Sequence, residues 1–522
     1  MEKKWWTLMV VAIGVFMLLL DITIVNVALP AIQRQLHASL SDLQWVIDAY
    51  ALSLAALLLM AGSLADLLGR RAVFATGIMI FTAGSLLCGL AGSSLFLSLA
   101  RAGQGVGGAV MFATSLALLA QTFSGSERAM AFSVFGAITG IAVAVGPVLG
   151  GAITSGLSWR WIFFVNVPIG IVAIALTLLR VEESRDPQAR QPDWRGFLTF
   201  SAGLALVVYG LIETNSHAWD SARVVGALGA GGLLLVAFVI VELTQERPMF
   251  DLGLLRNPTF VGGLMSAFAI SASVFAMLTF IVLYLQNVLG YSAIDTGLRL
   301  LALTGALFVT AGAAGRLTAL VPIRFLIGPG FVLIGAGLLL MRGISGASGW
   351  THLLPGLIVA GVGAGLVNVP LASTAVGVVD PARAGMASGI NTTFRQVGIA
   401  AGVAALGSIF AAQVRSSVMS RLADTQLAFS AHAIAHALGT GHAAQALASA
   451  PPALRGQLAA AATRSFAEAL NDILLVAGLV ALCGAALALV LIRQKDLVAP
   501  SEEVLTQPPA ATGVAADASL AA

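Results

Sequence analysis

The sequence predicts an all-α integral membrane protein with fourteen spanning helices, on three observations: its composition, the recurrence of long apolar runs, and the side on which basic residues collect. Of 522 residues, 58% are hydrophobic and only 10% charged, and mean hydropathy is +0.96. Soluble domains carry about 25% charged residues. This chain therefore lacks the polar side chains to cover a water-facing surface, and lipid is the solvent that fits it.

Apolar runs of about twenty residues cross a hydrocarbon core of about 30 Å at about 1.5 Å per residue. They recur at 7–28, 45–65, 72–92, 95–122, 129–156, 162–180, 196–214, 222–242, 259–285, 297–320, 324–341, 353–379, 384–412 and 472–493. The start, Met1-Glu-Lys-Lys-Trp-Trp and an apolar run, superficially resembles a secretory leader. That run continues through Asp21 and Asn26 to Pro30 without a small-residue cleavage site, so it reads as span 1.

Orientation follows from Lys and Arg near the span ends. With the N-terminus inside, the cytoplasmic segments hold Lys3, Lys4, Arg70, Arg71, Arg128, Arg180, Arg185, Arg190, Arg195, Arg247, Arg256, Arg316, Arg324, Arg383, Arg493 and Lys495. The short outer loops hold only Arg34, Arg160, Arg223 and Arg342. An even number of spans keeps Arg493 and Lys495 inside with the rest. The tryptophans, among them Trp5, Trp45, Trp159 and Trp350, fall near the expected interfaces.

A weak internal echo organises the spans. Gly105-Val-Gly-Gly in span 4 is matched by Gly363-Ala-Gly in span 12, and Arg128-Ala-Met-Ala before span 5 by Arg383-Ala-Gly-Met-Ala before span 13. This is either chance in a Gly/Ala-rich chain or the trace of two six-helix halves. The expected organisation is an N-terminal bundle (1–180), two inserted linker helices (196–242), and a C-terminal bundle (259–493) with a long outer loop at 413–470. A disordered cytoplasmic tail is expected at 499–522. Apolar periodicity from Leu422 to Leu447 fits either a helical hairpin at the membrane surface or a solvated connector.

Several function classes are disfavoured. Lys3, Lys4 and Lys495 are the only lysines, so no phosphate-binding Gly-Lys-Ser/Thr loop exists. The net charge of +3 is spread over loop arginines without a basic cluster, which argues against nucleic acid as partner. Cys88 and Cys483 sit in apolar runs as small hydrophobes. His432 and His436 have metal-compatible spacing but no third ligand nearby, and read as a solvated helix face. No nucleophile elbow or enclosed carboxylate pair appears, so an enzyme is not expected.

Ionisable groups within spans cost roughly 3 kcal/mol each and usually face a cavity or a partner. Here they are Asp21 in span 1, Asp48 in span 2 and Arg101 in span 4, then Arg395 in span 13 with Arg299 near the mouth of span 10. A proton carrier must gain and lose its proton, which arginine cannot do. A carboxylate whose distance from Arg101 changes between conformations can do so, which makes Asp21 and Asp48 the candidates. Asp21 could otherwise form a purely structural ion pair, and Asp48, nearer the outer interface, could be solvated. Gln104 shares a helical face with Arg101. Asn26, Gln104 and Arg395 are candidate cavity-lining residues, although Asn26 also fits a plain contact between helices.

Between spans 2 and 3, Gly62-Ser-Leu-Ala-Asp66-Leu-Leu-Gly69-Arg70-Arg71 resembles the signature loop of the major facilitator superfamily. Its glycines allow a tight turn and close helix approach, and Asp66 with the arginines forms a charge cluster suited to latching two halves together. Arg101-Ala-Gly-Gln104-Gly105-Val-Gly107 is similar to the family's proton-linked motif. Gly146-Pro147-Val-Leu-Gly150-Gly151 in span 5 resembles the motif associated with antiporters. Leu20-Asp21-Ile-Thr23-Ile-Val-Asn26-Val-Ala-Leu-Pro30 and Trp159-Arg160-Trp161-Ile-Phe-Phe-Val-Asn166-Val-Pro168-Ile-Gly170 look like the fourteen-span drug:proton antiporter subgroup.

The resemblance implies the major facilitator fold, two six-helix bundles plus two inserted helices. It implies proton-driven export of amphipathic drugs by alternating access, with Asp21 coupling and Arg101 as its electrostatic partner. The alternatives are a dedicated exporter of one metabolite and a transport-inactive membrane sensor. No cofactor is expected beyond the proton. The expected partners are the lipid bilayer, small amphipathic substrates and, in a Gram-negative host, a periplasmic adaptor with an outer-membrane channel. The expected location is the bacterial cytoplasmic membrane with both termini inside. The second half departs from the pattern: Gly315-Arg316-Leu-Thr-Ala-Leu lacks the signature aspartate, and the middles of spans 9–13 contain no carboxylate.

Overall fold

The computed structural model describes residues 2–496 apart from 124, 186–191, 216, 246–247, 319, 380–383, 424–430, 441–446 and 448–450. The expected tail at 499–522 lies outside the described residues. Among them the chain is all helix and turn. The first six helices are α1 (Lys3–Leu36), α2 (Leu40–Leu68), α3 (Arg70–Gly89), α4 (Ser94–Thr122), α5 (Gly125–Gly156) and α6 (Trp161–Arg180). Then come α7 (Trp194–Glu213), α8 (Ala222–Thr244), α9 (Pro258–Val288), α10 (Ala293–Leu317), α11 (Arg324–Leu340) and α12 (Leu354–Val376). The last are α13 (Ala384–Leu422), the short α14 (Ala431–Gly439) and α15 (Arg455–Leu491).

Thirteen of these are long and apolar enough to cross a membrane, and α11, with 17 residues, is a shorter apolar helix; together they account for the fourteen expected spans. The starts are set by local chemistry. Ser39 and Asp42 form a reciprocal capping box on α2. Asn257 caps α9, with Pro258 in the first turn where a missing N–H is harmless.

Helices α1–α6 pack mainly on one another, as do α9–α13 with α15. The α7–α8 hairpin lies against α2 and α13, where Ala51, Leu52 and Ala55 meet Leu204, Val208, Ile212, Ala400 and Ala404. In the segment expected as a long outer loop, 413–470, the described residues are largely helical. Helix α13 runs on to Leu422 and α15 begins at Arg455. Their apolar periodicity continues past the lipid-crossing stretch: Val414, Val418 and Leu422 share a core with Leu458 and Ala461 and with Ala431, Ala435 and Leu438 of α14. An Arg421–Glu468 ion pair and a 2.9 Å Ser417–Ser465 hydroxyl contact join the two extensions.

Along α5 and α10 the seam between the halves is tight at one end and more open at the other. A Cβ on Gly151 would meet the Ala293 carbonyl oxygen at 2.5 Å, and one on Gly297 would strike that of Pro147. Only glycine permits so close an approach. Further along, Thr304 Oγ1 donates to the Ala144 carbonyl at 3.2 Å. A Cβ on Gly140 would find only the Phe308 ring, at 3.6 Å, and one on Gly136 nothing within 4 Å. Across the same closed end, Gln44 Nε2 donates to the Val403 carbonyl at 2.9 Å, Gln286 Nε2 to that of Val27 at 2.8 Å, and Asn287 Nδ2 to Gln33 Oε1 at 3.2 Å. The open end carries the α2–α3 loop.

Candidate functional site

The densest buried polar cluster among the described residues lies inside the first bundle. Helix α4 places Arg101 and Gln104 three residues apart on one face, aimed at Asp21 of α1. Arg101 Nη1 pairs with Asp21 Oδ2 and also donates to Gln104 Oε1 at 2.7 Å. Gln104 Nε2 donates to Asp21 Oδ1 at 2.9 Å and to Ser85 Oγ of α3 at 2.7 Å. From α6, Asn166 Nδ2 reaches the same two acceptors at 3.4 and 3.3 Å. Arg101 Nε donates to the Val46 carbonyl of α2 at 3.1 Å, and its guanidinium lies 4.1 Å from the centre of the Tyr50 ring.

Asp21 is 1% exposed and Arg101 2%. A buried charge pair persists only when its remaining hydrogen-bonding groups are also satisfied. Helices α1, α2, α3, α4 and α6 all contribute groups to that end. Arg101 and Tyr50 also border a narrow crevice at the seam, with Ile22, Val25 and Gln396. The cluster is therefore sealed from lipid while its guanidinium touches the space between the halves.

Asp48 departs from the solvated reading. It is fully buried, and neither carboxylate oxygen has a hydrogen-bond partner among the described residues. The cause is the cover that α7 and α13 provide over this stretch of α2, which hydropathy of α2 alone does not reveal.

The other expected residues fall in separate places. Asn26 bridges the halves: its Oδ1 accepts from Thr279 Oγ1 of α9 at 3.1 Å, and it lines a second crevice with Thr23, Pro147, Phe275 and Thr304. Gln104 sits inside the cluster and borders neither crevice. Arg395 of α13 donates to Asn368 Oδ1 of α12 at 2.6 Å, makes no ion pair among the described residues and also borders neither crevice.

On α5, Gly146 packs on Thr23 and Gly150 on the Ile24 carbonyl, while Gly151 faces α10 and Pro147 lies within the helix. One helix face thus meets α1 and the next meets the opposite half. At the open end, Gly69 adopts φ +116° between α2 and α3, a conformation glycine tolerates. Asp66 Oδ1 accepts from Arg70 Nε at 2.8 Å, Arg70 also reaches Gln121, and Glu183 Oε1 accepts from the Arg71 backbone N–H at 3.0 Å. Gly62 has open space around it. Every described partner of this charge cluster belongs to the first bundle or to the segment directly after α6.

The sequence reading did not single out Ser85 or Tyr50, and it quoted Asn166 without a role. Small polar residues are common in spans, and only the packing of α2 and α3 against α4, and of α6 against α1 and α3, selects these. Asn166 had a signal in its motif; Ser85 had none.

The family model described as Major Facilitator Superfamily matches residues 11–403. The chain is 37% identical over 79% of its length to "Multidrug resistance protein Stp" of Mycobacterium tuberculosis, covering 77% of that protein. It is 34% identical over 93% of its length to the "Tetracenomycin C resistance and export protein" of Streptomyces glaucescens, covering 91% of it. It is 37% identical over 78% of its length to the "Puromycin resistance protein pur8" of Streptomyces alboniger, covering 82% of it. In fold it resembles an inward-facing, unoccupied bacterial homolog of the human lysosomal transporter Spinster, with a TM-score of 0.63 at 17% identity, covering 96% of this chain and 99% of that one.

Proposed function

Because the chain belongs to the Major Facilitator Superfamily, whose members are multi-pass membrane transporters and not enzymes, we propose that it exports amphipathic drugs or antibiotics in exchange for protons. The observation that carries this reading is the Asp21–Arg101–Gln104 cluster, a titratable group held by an arginine at the edge of the seam. A proton arriving on Asp21 cancels its charge and frees Arg101 to change partners; loss of that proton restores the pair. Two arrangements of one buried ion pair are the bistable element that alternating access requires.

With the basic loops taken as cytoplasmic, the more open end faces inward and the tight glycine contacts of α5 and α10 close the outer side. The Asp66, Arg70 and Arg71 cluster is then an unlatched cytoplasmic latch whose partners across the seam engage when the chain faces outward. Both termini are cytoplasmic in this orientation, and any periplasmic adaptor would meet the closed outer end. Asp48, buried with no counter-charge among the described residues, is a second proton site.

The test is proton-gradient-driven dye accumulation in inside-out vesicles, where export is uptake into the lumen, holding equal amounts of wild type and Asp21→Asn. Loss of the gradient-driven component supports the coupling role, and undiminished accumulation by the variant overturns it. Dedicated export of one compound is a second reading, favoured by the near full-length match to the tetracenomycin C protein. A panel of dyes and antibiotics in a pump-deficient host separates the two by the breadth of protection.

A further inference from the structure

A second pair of acidic side chains meets at the foot of the inserted hairpin. Asp193 caps α7, and its Oδ1 accepts from the Gly196 backbone N–H at 2.8 Å and from Gln245 Nε2 at 2.7 Å. Glu242, in the last turn of α8, is 3% exposed, and its Oε2 accepts from the Phe250 backbone N–H at 3.0 Å. One oxygen of each carboxyl remains: Asp193 Oδ2 and Glu242 Oε1 are both buried and without a partner among the described residues.

The two orphaned oxygens border the same space. A Cβ on residue 196 would lie 2.5 Å from Asp193 Oδ2 and closer still to Glu242 Oε1, so glycine there is what leaves room for them. Both oxygens lie within 2.5 Å of that one point, so the two carboxyls are close neighbours. The charged groups at this end of the hairpin and on the 249–257 segment are Arg195, Asp251 and Arg256, and none makes an ion pair with either carboxyl among the described residues; Glu213 and Arg223 pair with each other at the far end. Two ionised carboxylates so placed repel across a poorly hydrated gap. One proton between them turns that repulsion into an O–H···O⁻ hydrogen bond and satisfies both orphaned atoms.

We propose that Asp193 and Glu242 form a proton-binding site that holds one shared proton and docks the α7–α8 hairpin onto the segment leading into the second half. The proton comes from solvent, and its binding breaks no covalent bond. The docking follows from Phe250: the residue whose N–H Glu242 holds packs with Phe238 of α8, Phe260 of α9 and Ile390 of α13. When the pair loses its proton, like charges face one another and this anchor loosens. The site lies apart from Asp21 and Asp48, and stands whether or not transport is proton-driven.

The test is infrared spectroscopy and thermal unfolding of the purified full-length protein across a pH series, for wild type and Glu242→Gln. The wild type is expected to show the carbonyl band of a protonated carboxyl that the variant lacks, and to lose that band and unfold at lower temperature as pH rises. Glu242→Gln, a neutral mimic, should keep its unfolding temperature over the same range. If Glu242→Gln does not fold, Asp193→Asn serves, because an amide can donate to ionised Glu242 and the band should vanish at every pH. Identical bands in wild type and Glu242→Gln overturn the proposal. So does stabilisation by sodium or potassium that the Glu242→Gln change abolishes, since the occupant would then be a metal cation.

Discussion

The two bundles use arginine differently. In the first, Arg101 is paired with Asp21, braced by Gln104 and laid over Tyr50, so its charge is matched by a group that can itself be switched off. In the second, Arg395 has an amide partner, Asn368, and no carboxylate among the described residues. One arginine is held by a carboxylate, whereas the other has only a neutral amide. If Asp21 is the coupling group, as proposed, the switch belongs to the first bundle and the second is a fixed electrostatic environment.

The largest effect that would break this comparison is in stability. Arg101→Ala leaves Asp21 buried and unpaired and should cost about 3–5 kcal/mol, read as a large fall in unfolding temperature. Arg395→Ala removes one hydrogen bond to an amide and should cost about 1 kcal/mol. Equal losses would mean that the two arginines are equivalent.

Transport sharpens the contrast. Asp21→Asn should lower gradient-driven efflux at least about tenfold, which corresponds to about 1.4 kcal/mol in the barrier, while binding of substrate in the absence of a gradient persists. Arg395→Gln should leave the response to the gradient intact and reorder substrates by charge, read as changed relative resistance across anionic and cationic compounds. A coupling defect in Arg395→Gln would move part of the switch into the second bundle.

Asp48→Asn should be milder. Replacing an unpartnered carboxyl with a neutral isostere leaves no stranded charge, so the unfolding temperature should hold or rise by a change worth about 1 kcal/mol, with efflux reduced less than in Asp21→Asn. A loss equal to that of Asp21→Asn would make the two carboxylates one unit. The smallest direct effect belongs to the seam. Gly297→Leu places a side chain against the Pro147 carbonyl and should prop the closed end apart, seen as faster thiol labelling of a cysteine placed at Ala144.

Much of the fold was legible in one dimension. Long apolar runs separated by basic loops can satisfy their backbone groups in lipid only as helices, so the number and placement of spans followed from hydropathy. Asp21 and Arg101 were legible as well, because a charge in a span demands a partner. The position of Asp48 was not. Its depth depends on α7 and α13, distant in sequence, folding over α2. At 413–470 the sequence left a helical hairpin and a plain connector both open: the spacing of Val414, Val418 and Leu422 is helical, but the cover that gives these positions a core comes from α14 and α15.

By itself, then, the sequence determined the solvent, the number of spans, the signature loop and which few charges enter the membrane, since each depends on local composition or on short spacings. Only tertiary structure decided which of those charges meet. The partners of Asp21 come from 80 and 145 residues away, and the orphaned oxygens of Asp193 and Glu242 face each other because α8 folds back on α7. Charge interactions fall off over a few ångströms in a buried site, and chain separation says nothing about such distances until the helices pack.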